Sequence, residues 1–324
     1  MFLLVIGGTG HIGSFLVPRL VEAGHRVVCL SRGARSPYVP HDAWREVEHV
    51  TIDRREDEAR GHFGETIVAL KPESVIDLTC YTLESAVQLC DALSHRGIHL
   101  VHCGTIWVHG PSVTVPTTEE EPRRAFGDYG CRKAAIERYL TDQSRLGRVP
   151  VTTLHPGHLV GPGWAPINPA GNFNLEVFDD LAHGRPVRLP NFGMETLHHV
   201  HADDVAQAFV QAVEHAPAAI GESFHVVSPG AITCRGYAER MAEWFGVAPQ
   251  LEFVPYSEWQ RDVPERDAAV TLDHLQHSPS CSIEKARTRL GYTPRYTSLA
   301  AIQESVTWLI DQGRLRSRGR EMTR

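Results

Sequence analysis

Phe2-Leu3-Leu4-Val5-Ile6-Gly7-Gly8-Thr9-Gly10-His11-Ile12-Gly13 is the stretch on which the reading of this 324-residue chain turns. Five apolar residues of the buried-strand kind run directly into glycines at 7, 10 and 13, and an apolar pattern with helical spacing continues to Ala23. Strand, turn and helix in that order make a phosphate cradle. Gly7 permits the tight turn, Gly10 lets a pyrophosphate approach the backbone, and Gly13 allows the helix to pack close. The helix amino terminus presents unpaired N–H groups to the anion. The pattern predicts a dinucleotide site formed by Gly7, Thr9, Gly10, His11, Ile12 and Gly13.

Outward from that turn, short β-rich runs alternate with helical patterns. Strands are predicted at Phe2 to Ile6, Arg26 to Leu30, Val47 to Ile52, Ser74 to Leu78, Ile98 to Cys103 and Val151 to His155. Helices are predicted at His11 to Ala23, Glu56 to Leu70, Leu83 to His95 and Asp128 to Leu146. The alternation implies an α/β fold, a doubly wound parallel sheet of Rossmann type with its ligand beyond the carboxyl ends of the strands. Residues 161–172 are rich in Pro, Gly and Asn, too long for a simple turn, and read as part of a smaller carboxyl-terminal substrate lobe. A strand at Ser223 to Val227 and helices at Asp203 to Glu214, Cys234 to Phe245 and Ser298 to Asp311 follow. The expected organisation is a dinucleotide-binding domain at 1–165, rejoined by about 198–228, a substrate lobe at 166–197 and 229–312, and a flexible basic tail at 313–324.

Composition narrows the function. The chain is 42% hydrophobic and 22% charged with a formal net charge of -7, a global balance that does not invite nucleic acid, and no nucleic-acid partner is expected. Seven cysteines without a C-x-x-C pair read as reduced thiols rather than disulfides or zinc ligands. The opening apolar run is too short for a secretion signal, and no stretch reaches the ~18 apolar residues of a spanning helix. A cytoplasmic protein without membrane contact is expected.

The second predicted strand ends at Ser31-Arg32, where an acidic residue would bind ribose hydroxyls; an Arg there suits a 2′-phosphate, so NADP is favoured over NAD. Tyr129 and Lys133 stand four residues apart on one helical face. A Lys beside the ribose and the nicotinamide charge would lower the phenol's pKa from ~10 and let it exchange a proton with a substrate hydroxyl or carbonyl. Thr105, at the end of the fifth strand, could donate to the same oxygen.

With these residues in place, the sequence resembles the extended short-chain dehydrogenase/reductase family, the NAD-dependent epimerase/dehydratase group, over nearly its whole length. The segments that carry the likeness are the glycine turn, Asp53 in Thr51-Ile52-Asp53-Arg54, the fourth-strand run Val75 to Cys80, Tyr129/Lys133, and His155-Pro156-Gly157-His158. His201-Ala202-Asp203-Asp204 and Leu290-Gly291-Tyr292-Thr293-Pro294 extend it. The resemblance implies Thr105, Tyr129 and Lys133 as the catalytic group. It implies cofactor contacts at Asp53, Leu78, Thr79, Cys80, His155, Pro156 and His158 besides the turn, Ser31, Arg32 and Lys133. A homodimer through the helices near 83–95 and 128–146 is also implied. Four departures matter. Ile106 and Trp107 stand where family dehydratases carry Asp and Glu, Leu197 stands where many epimerases carry a diphosphate-binding Arg, His155 replaces the usual Arg of the sixth-strand segment, and His109 replaces a Tyr.

Around the substrate, Trp107, His109, Trp164, Asn172 and Asn174 offer aromatic walls and amide donors suited to a polyhydroxylated ligand, with Tyr81 and His199 placed beside them. Among the nineteen histidines, His198, His199 and His201 tempt a metal reading, but no carboxylate or Cys completes a ligand set, and no metal is expected. Asp203-Asp204 reads as helix-start acids and Cys131 as a bystander. The function expected is an NAD(P)-dependent oxidoreductase acting on a secondary alcohol or ketone of a sugar-like small molecule, first as an epimerase. The alternatives are an NADPH-dependent ketone or aldehyde reductase and a non-catalytic NADP-sensing or RNA-associated binding protein.

Overall fold

The computed structural model describes residues 1–316. Its first half runs β1 (Phe2–Ile6), α1 (His11–Glu22), β2 (Arg26–Ser31), β3 (Glu48–Thr51), α2 (Arg54–Ala59), α3 (Phe63–Ala69), β4 (Ser74–Asp77), α4 (Leu83–Leu93), β5 (His99–Cys103), α5 (Gly127–Arg145) and β6 (Val151–Pro156). There follow β7 (His158–Val160), α6 (Glu176–His183), β8 (Val187–Pro190), β9 (Thr196–Leu197), β10 (His199–His201), α7 (Ala202–Glu214), α8 (Ala216–Ala219) and β11 (Ser223–Val226). The last stretch is β12 (Ile232–Thr233), α9 (Cys234–Trp244), β13 (Leu251–Val254), α10 (Tyr256–Trp259), α11 (Glu265–His277), α12 (Glu284–Leu290) and α13 (Ser298–Asp311).

Seven strands form one sheet in the order β11-β6-β5-β4-β1-β2-β3, and every pairing in it is parallel. The order reverses between β1 and β4, which opens a crevice at their carboxyl ends. Apolar residues alternate to both faces, so the sheet is covered on both sides. On one face, Leu16, Val17 and Leu20 of α1 meet Phe209 and Ala212 of α7; on the other, Phe63, Ile67, Leu89, Ile136 and Leu140 pack from α3, α4 and α5. A separate core around Phe178, Tyr237, Met241, Trp259, Ile302 and Leu309 holds the carboxyl-terminal lobe together.

Several expectations shift. The helix predicted at Glu56 to Leu70 divides into α2 and α3, because Gly61 sits at φ 76° in the left-handed region between them. The strand predicted at 223–227 joins the main sheet as its seventh member, beside β6. Leu315 is buried in the lobe core, so the expected tail is docked at its start; the rest of it, 317–324, lies outside the described residues. No helix among the described residues is long and apolar enough to cross a membrane. All seven cysteines are free thiols, and only Cys131 is exposed.

Candidate active site

The crevice between β1 and β4 opens into a cleft of about 530 Å³. Its floor is the glycine turn. A Cβ on Gly13 would lie 2.1 Å from the Gly8 carbonyl oxygen, so the first turn of α1 approaches the turn after β1 only because residue 13 has no side chain. Gly10 caps α1 with no side-chain hydrogen bond and no acid follows in the first turn, which leaves the helix amino terminus open to an anion. Thr9, His11 and Ile12 line the same floor. His11 is held flat by stacking on Trp164 at 5.2 Å between centroids, and burial pushes its pKa down to about 3, so it lines the cleft as a neutral ring.

One end of the cleft is cationic. Ser31, Arg32, Arg35, Asp53, Arg54 and Arg55 border it. Arg54 reaches Asp77 at 2.8 and 2.9 Å through Nη1 and Glu58 at 2.6 Å through Nε, and so braces the end of β4. Asp53 caps α2, its Oδ1 accepting from the N–H groups of Arg55 and Glu56. Arg32 is exposed and pairs with no carboxylate among the described residues. That end of the cleft therefore offers a guanidinium without a carboxylate partner among the described residues.

The other end gathers Thr79, Tyr81, Thr105, Tyr129, Lys133 and Pro156. Tyr129 and Lys133 lie one turn apart near the start of α5. Lys133 is buried, and its Nζ donates to the carbonyl oxygens of Cys80 and Cys103, each at 2.8 Å, while lying 5.1 Å above the Tyr81 ring. Thr105 caps a 3-10 turn, Ile106–His109, with Oγ1 accepting from the Trp107 N–H at 3.3 Å. Burial pushes the Tyr129 phenol well above its ordinary value; Cys103 adds to the rise and the Thr105 side chain opposes it by hydrogen bonding. The ammonium is turned to the carbonyl oxygens of Cys103, at the end of β5, and of Cys80, in the segment after β4.

Seven expected residues lie outside the cleft lining, and Trp107 makes an eighth. Cys80 contributes a carbonyl to Lys133, while its thiol is buried against Thr82. His155 is wholly buried beneath Gly104. His158 sits behind Trp107 and accepts from its indole N–H at 3.3 Å. Trp107 itself stacks on His277 at 3.9 Å and meets Tyr129 edge-on. The His109 ring faces His225 at 2.7 Å in the interior. Asn172 and Asn174 are consumed by a loop network: Asn172 Oδ1 accepts from Asn168 Nδ2 and from the Asn174 N–H, and Asn172 Nδ2 donates to Thr271. His199 is buried between the rings of Tyr237 and His158. Trp164 and Tyr81 do border the cleft. Asp203 pairs with Arg19 at 2.7 Å and Asp204 accepts the N–H groups of Arg295 and Tyr296, so neither is an acid/base group. Among the described residues no three His, Cys, Asp or Glu side chains gather as metal ligands.

Sequence reasoning missed His274 and His277, which α11 packs against Trp107, and the buried Glu137 with its half-buried partner Arg123 beneath the site. Glu137 was visible four residues after Lys133. Arg123 carries no sequence signal of its role.

A doubly wound sheet with a glycine turn at its switch point, and a Thr, a Tyr and a Lys converging beside it, defines an NAD(P)-dependent oxidoreductase of the extended short-chain type. The chain belongs to the NAD dependent epimerase/dehydratase family, whose model matches residues 3–226. It is similar to the 2'-dehydrokanamycin reductase of Streptomyces kanamyceticus, 27% identical over 326 residues that span 96% of this chain and 85% of that protein. The chloroplast stem-loop binding protein of 41 kDa b of Arabidopsis thaliana is 27% identical over 322 residues, 96% of this chain and 79% of its own length. A UDP-glucose 4-epimerase of Corynebacterium glutamicum is 27% identical over 333 residues, covering 94% of each.

Proposed function

We propose that the chain interconverts a secondary alcohol and a ketone on a sugar-like substrate, with NADP(H) favoured over NAD(H), and that the net reaction is epimerisation. The observation that carries this reading is the convergence of Thr105, Tyr129 and Lys133 at one end of the cleft whose floor is the glycine turn. The dinucleotide, when bound, supplies the hydride acceptor and donor. The open amino terminus of α1 would hold its pyrophosphate, and Arg32 would answer a 2′-phosphate.

The proton is handled by the chain itself. Tyr129 enters the oxidative half as the phenolate, its own proton released to solvent, and takes the substrate hydroxyl proton as hydride leaves the carbon; in the reductive half the phenol returns that proton as hydride returns to the carbon. The Thr105 hydroxyl donates to the same substrate oxygen. Re-reduction from the opposite face of the ketone inverts the centre. Elimination lacks its acids, since Ile106 is buried and Trp107 is stacked on His277. Leu197, buried at the place of a diphosphate-binding Arg, argues against a nucleotide-linked sugar.

A net reductase is the second reading, favoured by the phenol's raised pKa, which keeps Tyr129 a proton donor at neutral pH, and by the likeness to the kanamycin-series reductase. The likeness to a stem-loop binding protein favours the third, but an intact Thr105, Tyr129 and Lys133 would be superfluous there. We place the protein in the cytoplasm as a homodimer through the faces of α4 and α5, which sedimentation would test.

Denaturing the purified protein and identifying released dinucleotide separates the readings. Tightly retained oxidised cofactor supports epimerisation, and an empty protein that binds NADPH supports net reduction. A protein that neither holds nor binds dinucleotide overturns both.

A further inference from the structure

Under the turn that carries Thr105 lies a buried polar relay. Residue 104 has no side chain, and a Cβ there would stand 2.5 Å from His155 Nδ1, so the imidazole of β6 lies directly beneath the peptide that leads into Thr105. The Thr105 N–H donates to His155 Nδ1 at 3.0 Å. Because Nδ1 accepts, the ring proton sits on Nε2, which donates to Glu137 Oε1 at 2.9 Å. Arg123 then grips both Glu137 oxygens, at 2.9 and 2.6 Å. Against the opposing effect of burial, His155 and Arg123 hold the Glu137 carboxyl well below the usual carboxylate range. The other titratable groups around the ring are His102, His109 and His225, all pushed toward neutrality by burial.

The relay connects two elements that must keep register. Glu137 follows Lys133 by one turn of α5, the helix that also carries Tyr129, whereas Thr105 follows β5. His155 stands on β6, the strand paired with β5.

We propose that His155 is a positioning residue: by clamping the Thr105 amide on one side and Glu137 on the other, it sets the distance between the Thr105 hydroxyl and the Tyr129 phenol. The proposal rests on the reading of Thr105 and Tyr129 as the reacting pair. Glu137, gripped by Arg123, is the acceptor that fixes the far side of the His155 ring. The geometry asks for Nδ1 as acceptor toward the Thr105 N–H and Nε2 as donor toward Glu137.

The test uses the full-length protein and two variants. His155→Asn keeps an acceptor at the δ position, and His155→Leu keeps bulk without it. Amide exchange at Thr105, the ¹⁵N tautomer of His155, NADPH titration and turnover are measured together. His155→Leu should speed Thr105 exchange by about tenfold while His155→Asn holds it near wild type. Turnover should fall about ten- to a hundredfold in His155→Leu with KM nearly unchanged, and His155→Asn should restore part of it. Equal protection of the Thr105 amide in His155→Leu and wild type overturns the proposal, as does an Asn variant as defective as Leu. Should His155→Leu fail to fold, the tautomer in the wild type decides: a proton on Nε2 alone supports the relay, and one on Nδ1 contradicts it. Failure of NADPH to bind would strike the functional reading while leaving the exchange and tautomer results standing.

Discussion

The Lys133 ammonium donates to the carbonyl oxygen of Cys103 at 2.8 Å, fastening the start of α5 to the last residue of β5. A second bond of equal length, to the Cys80 carbonyl, reaches the segment after β4. Lys133 thus holds the strand ends that border the cleft as well as standing beside the reacting phenol.

Lys133→Met should therefore cost stability as well as turnover. Two buried carbonyls lose their donor, and an unsatisfied buried acceptor costs about 1–3 kcal/mol. Urea melts should show the loss at neutral pH; an unchanged midpoint would mean that the carbonyls find other partners.

Tyr129→Phe should separate binding from chemistry. The ring keeps its edge contact with Trp107, 6.0 Å between centroids, so NADPH affinity should stay within about twofold while turnover falls about 10²–10⁴-fold with the proton carrier gone. A parallel loss of affinity in fluorescence titration would show that the hydroxyl positions the cofactor instead.

Arg32→Ala should discriminate between the dinucleotides. A free, exposed guanidinium gains only from a 2′-phosphate, so NADPH should weaken about tenfold with NADH unaffected, and the difference should shrink with added salt. Equal weakening of both would place Arg32 elsewhere on the ligand.

Acid should unfold the protein through its histidines. Burial pushes His11, His109 and His199 down to about 3, and His99 and His198 to about 4, against about 6.5 in the unfolded chain. Between those values the unfolded state binds protons that the folded state refuses. Their stabilising contribution is complete above pH ~6.5 and is lost as pH falls below it, at about 1.4 kcal/mol per pH unit for each ring. Urea midpoints should drop steeply from pH 6.5 to 4.5. A flat profile over that window would show that these rings are protonated in the folded protein.

What the sequence disclosed was local. The glycine turn, the strand before it and the spacing of Tyr129 and Lys133 each lie within a dozen residues, and patterns of that length survive folding unchanged. The relay did not show, because His155 meets Thr105 from 50 residues away and Glu137 from 18. Helix α11 was invisible for another reason: its buried face is Ala268, Thr271, His274, Leu275 and His277, which carries too little apolar periodicity to read. Asn172 and Asn174 misled because amides suit a sugar and a tight loop equally well. Only coordinates reveal that Asn168 closes the network on itself.

The central claim, a dinucleotide laid on the glycine turn beside Thr105 and Tyr129, is tested most directly by titrating NADPH fluorescence against wild type and Gly13→Ala. A Cβ at residue 13 would stand 2.1 Å from the Gly8 carbonyl oxygen and force the first turn of α1 away from the cradle. Saturable binding in the wild type that Gly13→Ala abolishes is the predicted result. Binding indifferent to Gly13, or no saturable binding at all, would contradict the account.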